Sequence, residues 1–389
     1  MIEYRKEIDG LRAIAVIPVI FYHAGYQLFG GGFVGVDVFF VISGYLITTI
    51  ILNDLESKKF SLLNFYERRA RRILPALFLV VLCCVPAAWF MLLPDEMEEF
   101  SKSLIAVSTF TSNIHFWQDD GGYFAGPSEL KPLIHTWSLA IEEQFYIILP
   151  IFLVLTWRLG RRFLLVSLLT SFVISLSLAH WGSQFRPSAA FYLLPTRAWE
   201  LLIGSFVAFY LQRNEILFSN FASNALSTLG LAMILTSVFL FNSTTPFPGL
   251  AALAPTLGTA LVILFANRRT LVFALLSHRA MVGIGLISYS LYLWHQPLLA
   301  FSRIFFIEGH NERLIPFLLA ISVLLAWISW KYIEMPFRKE SVISSRGIYI
   351  GATFISSALI CFGIVGYQTE GKINVRMELG FKHQVQRLN

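Results

Sequence analysis

The chain has 389 residues, of which 56% are hydrophobic and only 14% charged, with a formal net charge of +6. A soluble domain carries nearly twice that charged fraction, so the chain reads as a polytopic membrane protein. Its apolar runs are about 20 residues long and do not alternate, which excludes a closed β-barrel and leaves an all-α transmembrane bundle.

Roughly eleven candidate spans follow in order, near 10–29, 34–54, 73–93, 133–156, 162–180, 194–212, 225–242, 249–267, 280–300, 313–334 and 347–367. Ten form a core over 1–340, and the eleventh, with a short polar tail, makes a second region over 341–389. About two-thirds of the 30 Lys and Arg residues fall on one side if the N-terminus is cytoplasmic, which puts the C-terminus outside. The positive balance therefore reflects cytoplasmic loops, not nucleic-acid binding. The first run contains Arg12 and has no clear small-residue cleavage site after it, so it reads as a retained helix and not a signal peptide. Within the long segment 94–132, the part from 95 to 117 is amphiphilic enough to lie on the outer surface or dip into it, and 118–123 is turn chemistry. Cys83, Cys84 and Cys361 sit in apolar runs and imply neither a disulfide framework nor a metal site.

The first two spans carry ionisable groups at bilayer depth, where they are costly and mark a functional interior by default. The interval from Arg12 to His23 is about three helical turns, so the two side chains share one face roughly 16 Å apart along the axis. Gly30, Gly31 and Gly32 turn the chain back and bring Asp37 near the level of His23. Arg12 either snorkels to headgroups or meets a ligand. His23 is either a hydrogen-bonded packing residue or a general base for a hydroxyl. The following inner loop, 65–75, holds Arg68, Arg69, Arg71 and Arg72. They read equally as a topology signal and as a phosphate clamp, since arginine forks pair bidentately with phosphate oxygens.

The fourth span opens on His135, with Ser138 and Glu142 on the same face and Glu143 beside them. Adjacent carboxylates in a span require a wet or paired interior. They either pair with an arginine, orient a histidine or hold a sugar hydroxyl. The stretch 288–297 contributes Tyr292 and His295 beside Tyr289 and Trp294, either as an interfacial aromatic belt or as a saccharide-stacking surface. Tyr192, Pro195, Arg197 and Glu200 form a similar set, in which Arg197 and Glu200 are spaced to neutralise one another. The segment 332–338 reads as structural. No P-loop, dinucleotide glycine fingerprint, HExxH or G-x-S-x-G elbow is present, so ATP-driven transport and soluble-type hydrolase chemistry lack support.

Taken together, the motifs resemble the membrane-bound acyltransferase-3 family of bacterial carbohydrate O-acyltransferases. The resemblance is carried by residues 7–13, the Arg12-to-His23 spacing, the run 32–44, the arginine-rich 67–75, Trp137-Ser138-Leu139 with 142–146, and 288–297. The eleventh span resembles members in which an extra helix leads to an external SGNH-type domain. That domain is absent from the sequence, as expected of a truncated version or a fragment.

The resemblance implies transfer of an acyl group, usually acetyl from acetyl-CoA, to a sugar hydroxyl of a cell-envelope glycan such as lipopolysaccharide O-antigen. It implies a multi-pass protein of the bacterial inner membrane, with a cytoplasmic N-terminus and a periplasmic C-terminus. In the family the positions of Arg12 and His23 are the essential ones. The residue reading fits: CoA phosphates meet Arg12, Arg68, Arg69, Arg71 and Arg72, and the pantetheine arm runs along the Arg12–His23 face. His23, Asp37 and Glu142 then carry the chemistry, and His135, Ser138, Glu143, Tyr292 and His295 hold the acceptor. No metal and no permanently bound cofactor is expected. Rival readings are a transporter or flippase for acyl donors or lipid-linked saccharides, and a membrane scaffold without activity.

Overall fold

The computed structural model describes residues 4–119, 127–213, 218–306 and 312–372. Among them every regular element is helical. The helices are α1 (Lys6–His23), α2 (Gly35–Glu56), α3 (Leu62–Met91), α4 (Pro94–Ser108), α5 (Ser112–Asp119), α6 (Thr136–Trp157), α7 (Arg161–Phe185), α8 (Pro187–Tyr192), α9 (Leu194–Leu211), α10 (Asn220–Leu240), α11 (Leu253–Phe265), α12 (Leu271–Leu276), α13 (Arg279–Phe305), α14 (Ile315–Phe337) and α15 (Ser345–Gln368). The turn expected at 118–123 falls largely outside the described residues, and the polar tail is described only to residue 372.

Seven of these helices are long and apolar enough to cross a membrane: α2 with the turn before it, α3, α6, α7, α10, α14 and α15. The chain is thus a multi-pass membrane bundle. The remaining expected spans are helical as well. They are less lipid-like: α1 and α9 carry internal ion pairs, α11 has only 13 residues, and α13 carries Ser288, Tyr289, Ser290, Tyr292, His295 and Gln296 in one stretch. Burial separates the interior from the rim. The apolar window of α2 is 72% buried, while those of α7, α14 and α15 are 22%, 17% and 17% buried. A helix apolar all round and so little covered offers its surface to lipid.

One boundary departs from expectation. The arginine-rich stretch is not a loop before a span at 73–93. It lies inside α3, which begins at Leu62. Residues 62–74 contain no Gly or Pro and are rich in Leu, Arg and Glu, all good helix formers. Pro75 and Pro86 sit inside the helix without ending it, as prolines in spans often do. The segment after α3 forms two helices, with Pro94 in the first turn of α4, where its missing N–H costs nothing.

The helices gather into two compact units, one built from the described parts of Met1–Phe65 and Ser138–Tyr292, the other from those of Tyr66–Trp137 and Leu293–Asn389. In the first unit α2 lies against α9 with the two backbones nearly touching. A Cβ on Gly44 would overlap the backbone carbonyl of Leu201, and one on Gly204 the carbonyl of Val41. Thr48 donates to Ser205 Oγ at 2.8 Å one turn further on. Small residues permit this approach, and dispersion and hydrogen bonds hold it in a solvent as apolar as the side chains. The elbow glycines do the same work: Gly31 donates its amide to the Val238 carbonyl at 3.0 Å, Gly32 rests on the Pro18 carbonyl and Gly35 on that of Ala15. In the second unit α4 packs on α15, where a Cβ on Gly363 would meet the Ser101 carbonyl at 2.7 Å.

Gly204→Ala should therefore destabilise the protein by about 1–3 kcal/mol or more, because neither backbone can yield. Gly283→Ala, with nothing within 4 Å of the added carbon, should leave stability unchanged or raise it by up to about 1 kcal/mol through helix propensity. Thermal unfolding of both variants in detergent micelles checks the contrast.

Candidate active site

Helix α1 begins with two acidic residues, Glu7 and Asp9, in its first turn, where the helix dipole favours them. Both are buried, and each meets an arginine. Arg12 Nη1 sits 3.0 Å from Asp9 Oδ1. The other Asp9 oxygen accepts from the Tyr4 hydroxyl at 2.6 Å. Burial first, and then this carboxylate, pushes the Tyr4 phenol up to about 12. Arg5 bonds Glu7 at 2.7 Å and donates to the Tyr45 hydroxyl at 2.9 Å and the Ile263 carbonyl at 2.7 Å. The N-terminal end of α1 is thus tied to α2 and α11 by the Arg5 fork.

His23 closes α1 at its other end, partly exposed, its ring 5.4 Å from that of Tyr22. The helix is continuous between Arg12 and His23, with Pro18 inside it, so the shared face predicted from spacing is present. It is not an open furrow. Val16 and Val19, which lie on that face between the two, are 0% exposed.

Helix α2 has two working faces. Asp37, Val41, Gly44 and Thr48 follow one another at i, i+4, i+7 and i+11 and look toward α9. There Asp37, fully buried, meets Arg197 at 3.3 Å, and Arg197 meets Glu200 at 3.1 Å. The guanidinium lies over the rings of Phe40, Phe191 and Phe247, 5.3, 5.6 and 5.5 Å from their centroids. Two carboxylates share one cation in an aromatic box. Arg197 and Glu200 do pair, as their spacing indicated, but the third member is Asp37.

The opposite face of α2 presents Phe39 and Ser43. Ser43 donates to Glu142 Oε1 on α6 at 2.7 Å. One turn back on α6, Ser138 hydrogen-bonds the Tyr292 hydroxyl at 2.8 Å, and the Tyr292 ring packs 6.4 Å from Phe39. Glu142 and Glu143 are both partly exposed. Glu142, Ser138 and Tyr292 therefore converge, with Ser43 as a fourth member not foreseen from the sequence. Asp37 does not join them, because α2 stands between its own two faces. Counting Ser43 six residues after Asp37 on a helical wheel would have revealed the separation.

In the second unit His135 and His295 meet with ring centroids 5.6 Å apart and planes at 70°. They are 1% and 0% exposed. Gln296 reaches the Lys131 carbonyl at 3.3 Å, and Arg303 the Glu129 carbonyl at 3.3 Å, which fixes the chain leading into α6. The four arginines of α3 are not equivalent. Arg71 is buried, bonds Glu67 at 2.8 Å and donates to the Ile343 carbonyl at 2.7 Å, while Ser345 bonds the same Glu67 oxygen at 2.7 Å. Its fork pins α3 to the start of α15. Arg68 is exposed, and Arg69 and Arg72 are partly so. No group of three or more metal-ligating side chains occurs among the described residues.

Residues 5–331 match the family described as Acyltransferase domain. The chain is 33% identical over 375 residues to a protein of Staphylococcus aureus strain MSSA476 named "Putative O-acetyltransferase", an alignment covering 92% of this chain and 61% of that one. It is 33% identical over 354 residues to O-acetyltransferase OatA of S. aureus strain NCTC 8325 / PS 47, covering 87% and 58%. The chain thus spans about three-fifths of the curated relatives it matches. No solved structure gives a significant match.

The shared cation sets an order of stability. Arg197→Met leaves Asp37 and Glu200 buried together without it and should cost about 3–5 kcal/mol. Asp37→Asn keeps the Arg197–Glu200 pair and should cost less. Thermal unfolding in detergent ranks the two, and the reverse order would contradict the sharing.

Proposed function

We propose, from the premise that the chain belongs to this acyltransferase family, that it transfers an acyl group, acetyl first of all, from cytoplasmic acyl-CoA to a hydroxyl of a cell-envelope glycan. Lipopolysaccharide O-antigen is one acceptor of the right chemistry. The membrane is the bacterial inner membrane, with the N-terminus on the cytoplasmic side. The observation that carries the reading is the pairing on α1 of an anchored cation, Arg12 on Asp9, with a partly exposed histidine three turns away on the same face.

The reaction asks for few parts. The sugar oxygen attacks the thioester carbonyl carbon while His23 takes the hydroxyl proton. A C–O bond forms and the C–S bond breaks. The departing CoA sulfur takes the proton back from the imidazolium, which leaves His23 neutral for the next turnover. Glu142, held by Ser43, and Glu143 accept hydrogen bonds from acceptor hydroxyls, with the Ser138–Tyr292 pair beside them. Within the second unit, His135 and His295 are candidates for holding a sugar hydroxyl. Asp37 holds α2 against α9 through Arg197, and so acts as a positioning residue. Arg12 of the first unit, and Arg68, Arg69 and Arg72 of the second, are each candidates to meet a donor phosphate. Because Val16 and Val19 are buried, the donor arm reaches His23 only by opening that face, which requires that the donor bind the open form better than the closed one.

Purified full chain with radiolabelled acetyl-CoA and an envelope glycan should transfer label, and His23→Ala should lower the rate about 100- to 10,000-fold, the usual worth of a general base. Full transfer by that variant would remove His23 from the role. A second measurement separates the arginines. Arg68→Lys and Arg72→Lys should raise the donor KM because the bidentate fork is lost. Arg71→Lys should instead lower the melting temperature, since its fork holds the Ile343 carbonyl. An unchanged donor KM in the first pair would leave those arginines a topological role alone.

A further inference from the structure

In the first unit a cavity of about 180 Å³ opens where α2, α6 and α9 end and α7 begins. Its lining combines apolar Trp157, Leu164 and Phe209 with polar Arg161, Gln212 and Arg213. Arg161 Nη2 donates to the Phe209 carbonyl at 3.0 Å, which fixes its guanidinium in the lining. The Gln212 amide nitrogen is buried and has no hydrogen-bond partner, an arrangement that is costly and calls for an acceptor. Helix α7 starts at the same place, and its N-cap, Gly160 at φ 89, supplies no side-chain cap. Its positive dipole end therefore adds to the two guanidiniums. Glu56, the carboxylate on the lining, is exposed.

Two arginines, an unpartnered amide donor and a helix N-terminus bordering one small cavity select a compact anion rich in acceptor oxygens. The cavity is smaller than the ~300–1,000 Å³ that a drug-sized ligand fills, so it takes a single phosphate group and not a nucleotide. The apolar part of the lining, Trp157, Leu164 and Phe209, would be left bare by free phosphate and is covered by a phosphate that carries a chain. The ends of membrane-crossing helices lie at headgroup depth, where a tryptophan such as Trp157 is at home. We propose that this cavity binds the headgroup phosphate of an anionic phospholipid, with the first part of its glycerol and chain against Trp157 and Phe209. The assignment rests on the cavity alone, so its failure leaves the acyltransferase reading standing.

The test uses the full chain in detergent with equal amounts of phosphatidylglycerol and phosphatidylcholine, with bound lipid counted by native mass spectrometry and no acyl donor present. Wild type should retain phosphatidylglycerol preferentially, and the preference should fall about fivefold for each arginine removed in Arg213→Gln and in Arg161→Gln/Arg213→Gln. Arg213 is exposed, so its single variant reads binding without disturbing the Arg161–Phe209 bond. Melting temperatures in phosphatidylcholine alone, expected to be equal for wild type and Arg213→Gln, exclude a folding effect. Equal phosphatidylglycerol retention by wild type and both variants overturns the site. If excess inorganic phosphate by itself raises the wild-type melting temperature as far as phosphatidylglycerol does, the lipid is overturned as the source of the phosphate.

Discussion

The near contact of the α2 and α9 backbones is the constraint on which the first unit depends. With lipid outside, apolar side chains gain little by leaving one apolar surface for another, so helices associate through close packing and through polar groups that find partners. Gly44 and Gly204 supply the first, and Thr48–Ser205 together with Asp37–Arg197–Glu200 the second. The two depend on each other. The offset that seats Gly44 on Leu201 also brings Asp37, about two turns back on α2, within reach of the long Arg197 side chain, about one turn back on α9. A shift of one residue would misplace the glycines and part the buried Asp37 from Arg197, whose pair with Glu200 lies within α9. The ion cluster therefore enforces register more than it supplies net stability, the best-attested use of buried charge.

This register explains why the polar residues of α2 serve two purposes. A helix in contact on both sides can bind a structural partner on one face and carry site chemistry on the other. The face with Asp37 is consumed by α9. The face with Phe39 and Ser43 is turned to Glu142 and Tyr292. Rigid support for one face is what gives the other a defined geometry, since a site is only as exact as the elements that hold it.

Much of this was legible in the residues. Composition identified the helical bundle, and the i, i+3 and i+7 spacing placed Ser138 and Glu142 together. Arg197 and Glu200 were legible as a pair because they sit on one helix. What was not legible was every partner contributed by a distant helix: Asp37 for Arg197, Ser43 for Glu142, His295 for His135. Helical periodicity reports which residues share a face and is silent on which faces meet. The misplaced start of α3 has a different cause. A run of arginines at a membrane edge satisfies the positive-inside rule whether it is loop or helix, so charge alone could not tell the two apart. Helix propensity over 62–74, with no Gly or Pro, could have.

That helical arginine run also shows how position turns one residue type into two. Successive residues in a helix point about 100° apart, so four arginines in five positions cannot face one ligand. Arg71 turns inward, where Glu67 neutralises it and the Ile343 carbonyl occupies its fork. Arg69, pointing roughly 160° away, stays partly exposed. A loop would have let all four collect around a phosphate, but a helix divides them into a clamp for the chain itself and a patch for something outside it. The same division runs through the whole bundle. The helices α7, α14 and α15 pass as spans by hydropathy and are little buried, while α1, α9 and α13, whose polar residues make them poor candidates by hydropathy, are the ones with partners to hold and chemistry to place. In a membrane bundle, departure from apolarity is tolerated only where neighbouring groups satisfy it, as Asp9 does for Arg12 on α1, Asp37 for Arg197 on α9 and Ser138 for Tyr292 on α13.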